Sequence, residues 1–542
     1  MGEFTNEEAQ LLKPFFTSLD KDIFVLTNLP EVVKGALFSR YSRTQRSLRK
    51  LLLDEFINDE KAGFKEIVAY SDKMGYDQIV ATKKAEEFYD RVLVGYGDDS
   101  VAELGGAHVA CENVSNIASK ILEDSRIGIS PLEKSTRYVY FDKKENGKYL
   151  YHEEQKIMQS KHADLYIKTC DSLFDAYAKL IPLVSKQLRE KFPKGEESER
   201  AYESSIRAKA CDILRGFLPA STKTNLGLFG NGRSLEYLMT KMNAHPFSES
   251  KSIAAEMQTE LMKVMPSFVK RATGHYGDPT IKYLSETRMG MEKIAEKEFA
   301  GVEPNADEEV TLISYDKDAI DKTCAACLYP YTNVSFEQVK AKVAEMNEAE
   351  KQKIIKSYWG KRENRRHKPG RSFEHVYYEY DLVCNYASFR DLHRHRVLTQ
   401  QRQDLSTKLG FDLPPEIVEM GFENEFREQM ELAKETYKTI SLNLNLKKEA
   451  SYVVPFAYRI RWNNVLNLRE LYHLVELRST IHGHVDYRRI VLKMLEEAKK
   501  VHPLLVEGMK FVDYREAGLE RLEAEKKIDK KMKEVEGKYA QK

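Results

Sequence analysis

Cysteine is scarce: six residues in 542, scattered at positions 111, 170, 211, 324, 327 and 384. That is too thin for the disulfide framework of a secreted domain, so reduced thiols are expected. Long apolar runs are missing as well. No stretch approaches the ~18 consecutive apolar residues of a membrane span, and the opening MGEFTNEEAQ has neither the basic nor the apolar segment of a secretory leader. A cytoplasmic protein with no membrane partner is the expectation. A dominant charge is the third absence: 86 Lys and Arg against 85 Asp and Glu leave a formal net charge of +1, which provides no bulk attraction for nucleic acid or an acidic membrane. What is present suits a folded chain. Hydrophobic residues make up 42% and charged residues 32%, which excludes disordered, collagen-like and mucin-like classes. Cores stop growing near ~250–300 residues, so two or three units are expected.

Amphipathic helical stretches alternate with short β-rich runs, VTLISY (310–315), HVYYEYDLV (375–383) and STRYVYF (135–141), which predicts a mixed α+β fold. Residues 270–310, with GHYGDPT and GVEPNADEE, read as loop and linker. A boundary near 300 separates two comparable halves, 1–300 and 301–542, and an internal repeat supports it. Pro219, Asn231, Arg233 and Leu235 recur with the same spacing as Pro455, Asn467, Arg469 and Leu471. Each half also has a Glu about 20 residues before an Arg-bearing segment: Glu103 before Ser125-Arg126, and Glu374 before Arg394-His395-Arg396. A period of half the chain means a duplicated domain rather than a solenoid. The first half carries an insertion of about 35 residues, placed within 142–200.

Chemistry concentrates in the second half. Eight of the thirteen histidines follow residue 366. On a helix beginning near Asn467, residues 467, 471, 474 and 478 share one face, and 469, 473 and 476 a neighbouring one. Arg, His and Asn side chains are thereby placed to grip a planar anionic ligand, for which guanidinium forks supply both charge and geometry.

These residues resemble those of the flavin-dependent thymidylate synthases. The family pattern is an Arg-His-Arg followed by an acidic, Ser and Arg-Tyr segment, with an upstream Glu-His and a downstream Asn-x-Arg…Leu-Arg helix. The second half matches at Glu374-His375, Arg394-His395-Arg396 and NLRELYHLVELRSTIHGH (467–484), including Arg478, but has Asp404, Ser406 and Ser451 where Ser, Arg and Arg stand in the family. The first half is the reverse. It keeps Glu133, Ser135, Arg137, Tyr138 and Arg215, but has Ser125-Arg126-Ile127, Glu103-Leu104 and Met242 at the other positions. Asp391 and His484 replace two usual Gln residues.

The resemblance implies two tandem domains, each a mixed sheet packed with helices, in a homodimer that forms a pseudo-tetramer. It implies reductive methylation of dUMP to dTMP with methylenetetrahydrofolate and NADPH-reduced FAD. Glu133, Ser135, Arg137 and Arg215 would bind the substrate with Arg394 and Arg478. Arg478 would stabilise charge on the uracil, Ser135 would orient, and Arg394 would stand between flavin and dUMP. His375, Arg394, His395, Arg396, Asn467, Arg469, His473 and His482 would hold FAD. The reciprocal losses imply composite sites drawing on both repeats, and a complementary set, Leu104, Ile127, Met242, Asp404 and Ser451, unfit for a nucleotide. A flavin-dependent enzyme for another nucleotide, or a non-catalytic binding protein, are the alternatives.

Competing motifs are weaker. Cys324-Ala-Ala-Cys327 has no second ligand pair for zinc, and the His393-x-His395 and His482-x-His484 pairs point apart on a helix, so no metal is expected. The basic run KRENRRHKPGR (361–371) reads as a solvated loop that could attract cofactor phosphates, GLFGNGRS (227–234) lacks the Lys of a P-loop, and the charged tail reads as a helix.

Overall fold

The computed structural model describes residues 4–42, 44–58, 99–125, 127–516 and 518–539. Arg126, half of the Ser125-Arg126 segment, lies outside them. The chain forms two compact units: Met1–Val114, Ile121–Glu133 and Thr224–Gly301 in the first, Ser115–Lys120, Lys134–Lys223 and Val302–Lys542 in the second. The last passage between the units lies at Gly301–Val302, and residues 134–223 belong to the second unit.

Seven strands among the described residues make two sheets. β1 (Gly106–Ser115), β2 (Ile129–Glu133) and β3 (Lys223–Asn231) lie in the order β1-β3-β2. β4 (Val310–Tyr315), β5 (Tyr377–Asn385), β6 (Leu398–Arg402) and β7 (Arg459–Asn467) form an antiparallel sheet in the order β4-β5-β7-β6. Without the edge strand β4 the second order repeats the first, so the duplication is visible in topology. Its sequence signature has a physical cause. Each middle strand runs into a helix, β3 into Gly232–Ala244 and β7 into Leu468–Arg478. Asn231 and Asn467 are the N-caps, accepting from the amides of Ser234 and Glu470 at 2.8 Å each. Two residues on, Arg233 donates to Glu103 at 2.8 Å and Arg469 to Glu374 at 2.9 Å. Four residues on, Leu235 and Leu471 are fully buried. The repeated letters are a cap, an ion pair and a core residue.

Pro219 and Pro455 pair with each other inside the second unit, about a local two-fold. Ala220 N donates to the Val454 carbonyl and Phe456 N to the Leu218 carbonyl, both at 2.9 Å. Ser221 N and Ala457 N reciprocate on Tyr452 and Gly216 at 2.9 and 3.1 Å. Equivalent segments of the two repeats thus bond to one another reciprocally.

β5 shows why its aromatic run is a strand. Tyr378, Tyr380 and Leu382 point inward with no exposure, while Tyr377, Glu379 and Asp381 alternate outward. The buried hydroxyls of Tyr380, Tyr458 and Tyr472 donate to the carbonyls of Met494, Met430 and Leu505 at 3.0, 2.7 and 2.6 Å, so burial orphans none of them.

Three local expectations change. STRYVYF is a turn rather than a strand, because Ser135 Oγ captures the Arg137 amide at 3.2 Å. Residues 270–310 contain the 25-residue helix Gly274–Glu298, with Pro279 near its start. The basic 361–371 run is not wholly solvated: Arg362 is 8% exposed and forks onto Glu476 at 2.8 and 2.5 Å. VTLISY is β4, and the charged tail is the helix Leu522–Tyr539. Among the described residues no helix is long and apolar enough to cross a membrane.

Candidate functional site

The helix Leu468–Arg478 carries the centre of the site. Its sequence-derived faces are shifted in the structure: Leu471 and Leu474 are buried core, Glu476 pairs with Arg362, and Asn467, Arg469, Glu470, His473 and Arg478 line a cavity of about 300 Å³. Arg394, His395 and Arg396 line the same cavity from the loop after the helix Tyr386–Leu392, together with Lys368 and Glu374. Asn385 caps that helix through the Ser388 amide at 2.9 Å, which sets where the loop begins.

A hydrogen-bonded line crosses the site. His395 Nδ1 lies 2.7 Å from Glu470 Oε1, and Arg478 Nε donates to His395 Nε2 at 3.0 Å. Because Arg478 Nε is only a donor, His395 Nε2 accepts, and the proton sits on Nδ1 facing the carboxylate. Glu470 thereby fixes the tautomer that orients Arg478. Burial disfavours the Arg478 charge, which Asp391 and Tyr487 partly restore. His473, its ring centroid 5.4 Å from that of His395, is pushed down to about 4 by burial, with Glu470 opposing and His395, Lys368 and Arg365 adding to the fall. It is neutral at pH 7.

The cavity has an anion-seeking character. Lys368, Arg394, Arg396, Arg469 and Arg478 outnumber Glu374 and Glu470. This lining fits the pyrophosphate of a dinucleotide such as FAD, with imidazole and amide groups for a ring system, and its volume holds part of such a ligand. His395, Glu470 and His473 each offer an atom within 4.8 Å of the others, the kind of three-ligand set a metal centre uses. Here Arg478 already occupies His395 Nε2, and the surrounding guanidiniums repel a cation. The Glu-x-x-His spacing at 470–473 is the sequence signal for this cluster, which the His-x-His pairs do not mark.

A second group of charges adjoins through Asp391. Arg215, 3% exposed, donates from Nη1 to Asp391 at 3.3 Å. Arg137 forks onto Asp212 at 2.7 and 2.6 Å. The Asp391 carboxyl is held well below the usual range: burial opposes this, but Arg215, Arg394, Arg137 and Arg478 together outweigh it. Arg137 and Arg215 come from the first repeat, Arg394 and Arg478 from the second, and all belong to one compact unit of one chain. Asp212, three residues before Arg215, had no family pattern to mark it.

The other expected residues fall elsewhere. Ser135 Oγ turns back to the Arg137 amide. His375 is exposed, its ring stacked 5.9 Å from Phe336, while its neighbour Glu374 reaches the cavity. His482 Nδ1 meets the Glu520 carbonyl at 2.9 Å, and its own carbonyl faces Arg137 Nη1 at 3.5 Å. Glu133 ends β2, in the first unit. Of the complementary set, Leu104 and Ile127 are exposed and Met242 is core of the first unit. In the second unit the Asp404 side chain is 78% exposed, and Ser451 donates to the Lys448 carbonyl. Cys324 and Cys327 are buried on the helix Ala319–Leu328, and burial pushes their thiols up to about 11 and about 12.

Comparison with known proteins agrees with the repeat. The family model described as thymidylate synthase complementing protein matches residues 57–267 and again 311–504. A UPF0159 protein of Chlamydia muridarum is 44% identical over 527 residues, 97% of this chain and 98% of the relative. One of Thermoplasma acidophilum is 34% identical over 91% of this chain and 97% of its own. A flavin-dependent thymidylate synthase of Sulfurisphaera tokodaii is 29% identical over 139 residues, 24% of this chain and 54% of that protein. Among solved structures, the flavin-dependent thymidylate synthase of Helicobacter pylori in complex with FAD and dUMP covers 38% of this chain at 17% identity, with a TM-score of 0.29.

Proposed function

Because the chain belongs to the thymidylate synthase complementing protein family, with both of its halves matched, we propose that it is a flavin-dependent thymidylate synthase that converts dUMP to dTMP. In that reaction bound FAD, reduced by NADPH, supplies the hydride, and methylenetetrahydrofolate supplies the carbon. The observation that carries the reading is the gathering of Arg394, His395, Arg396 and Arg478 on one cationic cavity beside the Arg137, Arg215 and Asp391 cluster. Lys368, Arg396 and Arg469 hold the cofactor's pyrophosphate by charge-assisted bonds, with Asn467 and His473 beside it. Arg478, oriented through His395 and Glu470, faces the pyrimidine and takes up negative charge that develops on it. A preorganised donor of this kind is worth about 2.7–4 kcal/mol. Arg215 and Arg394 hold the phosphate, with Ser135 and Arg137 beside them, and no protein nucleophile is required. Two chains, each a tandem of repeats, associate as a pseudo-tetramer.

The experiment is reconstitution. Purified protein titrated with FAD should turn yellow, dUMP should perturb the flavin spectrum, and the gene should rescue a thymidine auxotroph. A chain that binds FAD and fails the last two tests acts on another substrate. A chain that cannot be loaded with FAD overturns the reading altogether.

A further inference from the structure

The basic segment 361–371 is only partly explained by the fold and by the cavity it borders. It carries six Lys and Arg against a single carboxylate, Glu363. Two of the six are matched, Arg362 by the buried Glu476 and Arg371 by Glu374 at 3.1 Å. Lys361, Arg365, Arg366 and Lys368 have no ion pair or side-chain hydrogen bond among the described residues, and all but Arg365 are exposed. Four unpaired cations less Glu363 leave +3 on residues 361–368.

A loose loop would splay and relieve that repulsion, but this one is fastened. Asn364 accepts the Arg366 amide on Oδ1 at 2.9 Å and the His367 amide on its carbonyl at 3.0 Å, which folds the segment into a tight turn. Arg362 reaches from it to Glu476, and Arg469 Nε donates to the Pro369 carbonyl at 2.8 Å, so both ends are tied to the helix Leu468–Arg478. Like charges are thus held together at a cost to stability.

The turn stands at the mouth of the cavity of about 300 Å³. Lys368 lines it, and the charge of Arg365 reaches His473 inside it. Arg394, Arg396 and Arg478 continue the same sign inward. The two carboxylates of the lining are engaged, Glu374 by Arg469 and Glu470 by His395. A positive potential therefore runs from the exposed turn into the cavity, although the whole chain carries only +1. It extends about 8 Å into physiological salt, so an anion meets it before contact.

Resting on the reading of this cavity as the FAD site, we propose that the 361–371 turn is an electrostatic guide for the dinucleotide, in which Arg365 and Arg366 draw the pyrophosphate from solution toward Lys368 and Arg396. Guiding differs from holding. Charges at the rim raise the rate of association and are screened by salt, whereas groups on the bound ligand govern its release.

The test is stopped-flow mixing of flavin-free protein with FAD, followed by flavin fluorescence, from about 0.02 to about 0.5 M NaCl. Wild-type association should slow about tenfold or more across that range. Arg365→Gln with Arg366→Gln should slow association about fivefold or more at low salt, leave dissociation within about twofold, and match the wild type at high salt. Lys368→Gln, which removes a contact, should instead speed dissociation. Wild-type association indifferent to salt overturns the proposal, whether or not a variant folds. So does a folded double variant that takes up FAD at the wild-type rate, or one whose whole loss lies in dissociation. In each of these cases FAD binding leaves the thymidylate synthase reading standing, while a wild type that takes up no FAD overturns both.

Discussion

Glu476→Ala should be among the most damaging single changes in the second unit, and its effect follows from the Arg362 pair. The side chains of Arg362 and Glu476 are 3% and 2% exposed, and the two are joined by bonds of 2.8 and 2.5 Å. Arg362 also donates to the carbonyls of Gly508 and His367 at 2.8 and 2.5 Å, and its guanidinium lies 5.3 Å from the centroid of the Tyr472 ring. Removing the carboxylate strands a buried charge with only neutral partners, which costs about 3–5 kcal/mol. In a domain of this size each kcal/mol moves the melting midpoint by about 2–4 °C, so a fall of about 6–20 °C is expected in a thermal melt followed by circular dichroism. Arg362→Met with Glu476→Leu removes both charges and should recover most of the loss, because well-packed apolar replacements of a buried pair are often neutral or better. FAD affinity should follow stability: Arg362 anchors the 361–371 segment that delivers Lys368, and Glu476 lies on the helix that delivers Arg478. A Glu476→Ala protein that melts within about 2 °C of the wild type would refute this reasoning, as would a double variant no more stable than the single one.

Glu470→Ala releases the His395 tautomer and should lower turnover of dUMP by about 10- to 100-fold, the equivalent of about 1.4–2.8 kcal/mol, while Glu470→Gln, which can still accept from Nδ1, should retain most of it; equal rates for Glu470→Ala and wild type count against the line to Arg478. The His473 imidazole, with a folded value of about 4 against 6.5 for the free side chain, should show no NMR titration between pH 8 and 5.5; since the unfolded chain binds that proton first, the stability that His473 contributes is present above pH 6.5 and is lost as pH falls toward 4, and His473→Gln should flatten this slope. All six thiols are buried, so a thiol reagent should label the native protein at well under one equivalent and the denatured protein at six; rapid native labelling of Cys324 or Cys327 would contradict their packing. Arg137, Arg215, Arg394 and Arg478 belong to one unit of one chain, so mixing Ser135→Ala with Arg394→Ala chains should restore no activity beyond the sum of the two; recovery would place the site between chains.

Much of this protein was legible in its sequence because the signals were local or periodic. The repeat of Pro219, Asn231, Arg233 and Leu235 as Pro455, Asn467, Arg469 and Leu471 and the β-rich runs at 310–315 and 375–383 could be read along the chain, while the helix caps, the ion pairs and the buried strand face behind them are visible only in the fold. The Arg-His-Arg at 394–396 and Arg478 marked the cavity because their spacing is carried by one loop and one helix. What the sequence misjudged was context. STRYVYF has the composition of a strand, but a side-chain hydroxyl takes the backbone amide that a ladder would need. The 361–371 run has the composition of a solvated loop, yet Arg362 found a buried carboxylate 114 residues away. Asp391, Arg137 and Arg215 could be named one by one, but only tertiary structure added Asp212 and brought two carboxylates among four guanidiniums. Charge balance in a site depends on distance and solvation, neither of which is a property of spacing along a chain, and for this protein it was the folding of 134–223 with the second repeat that decided it.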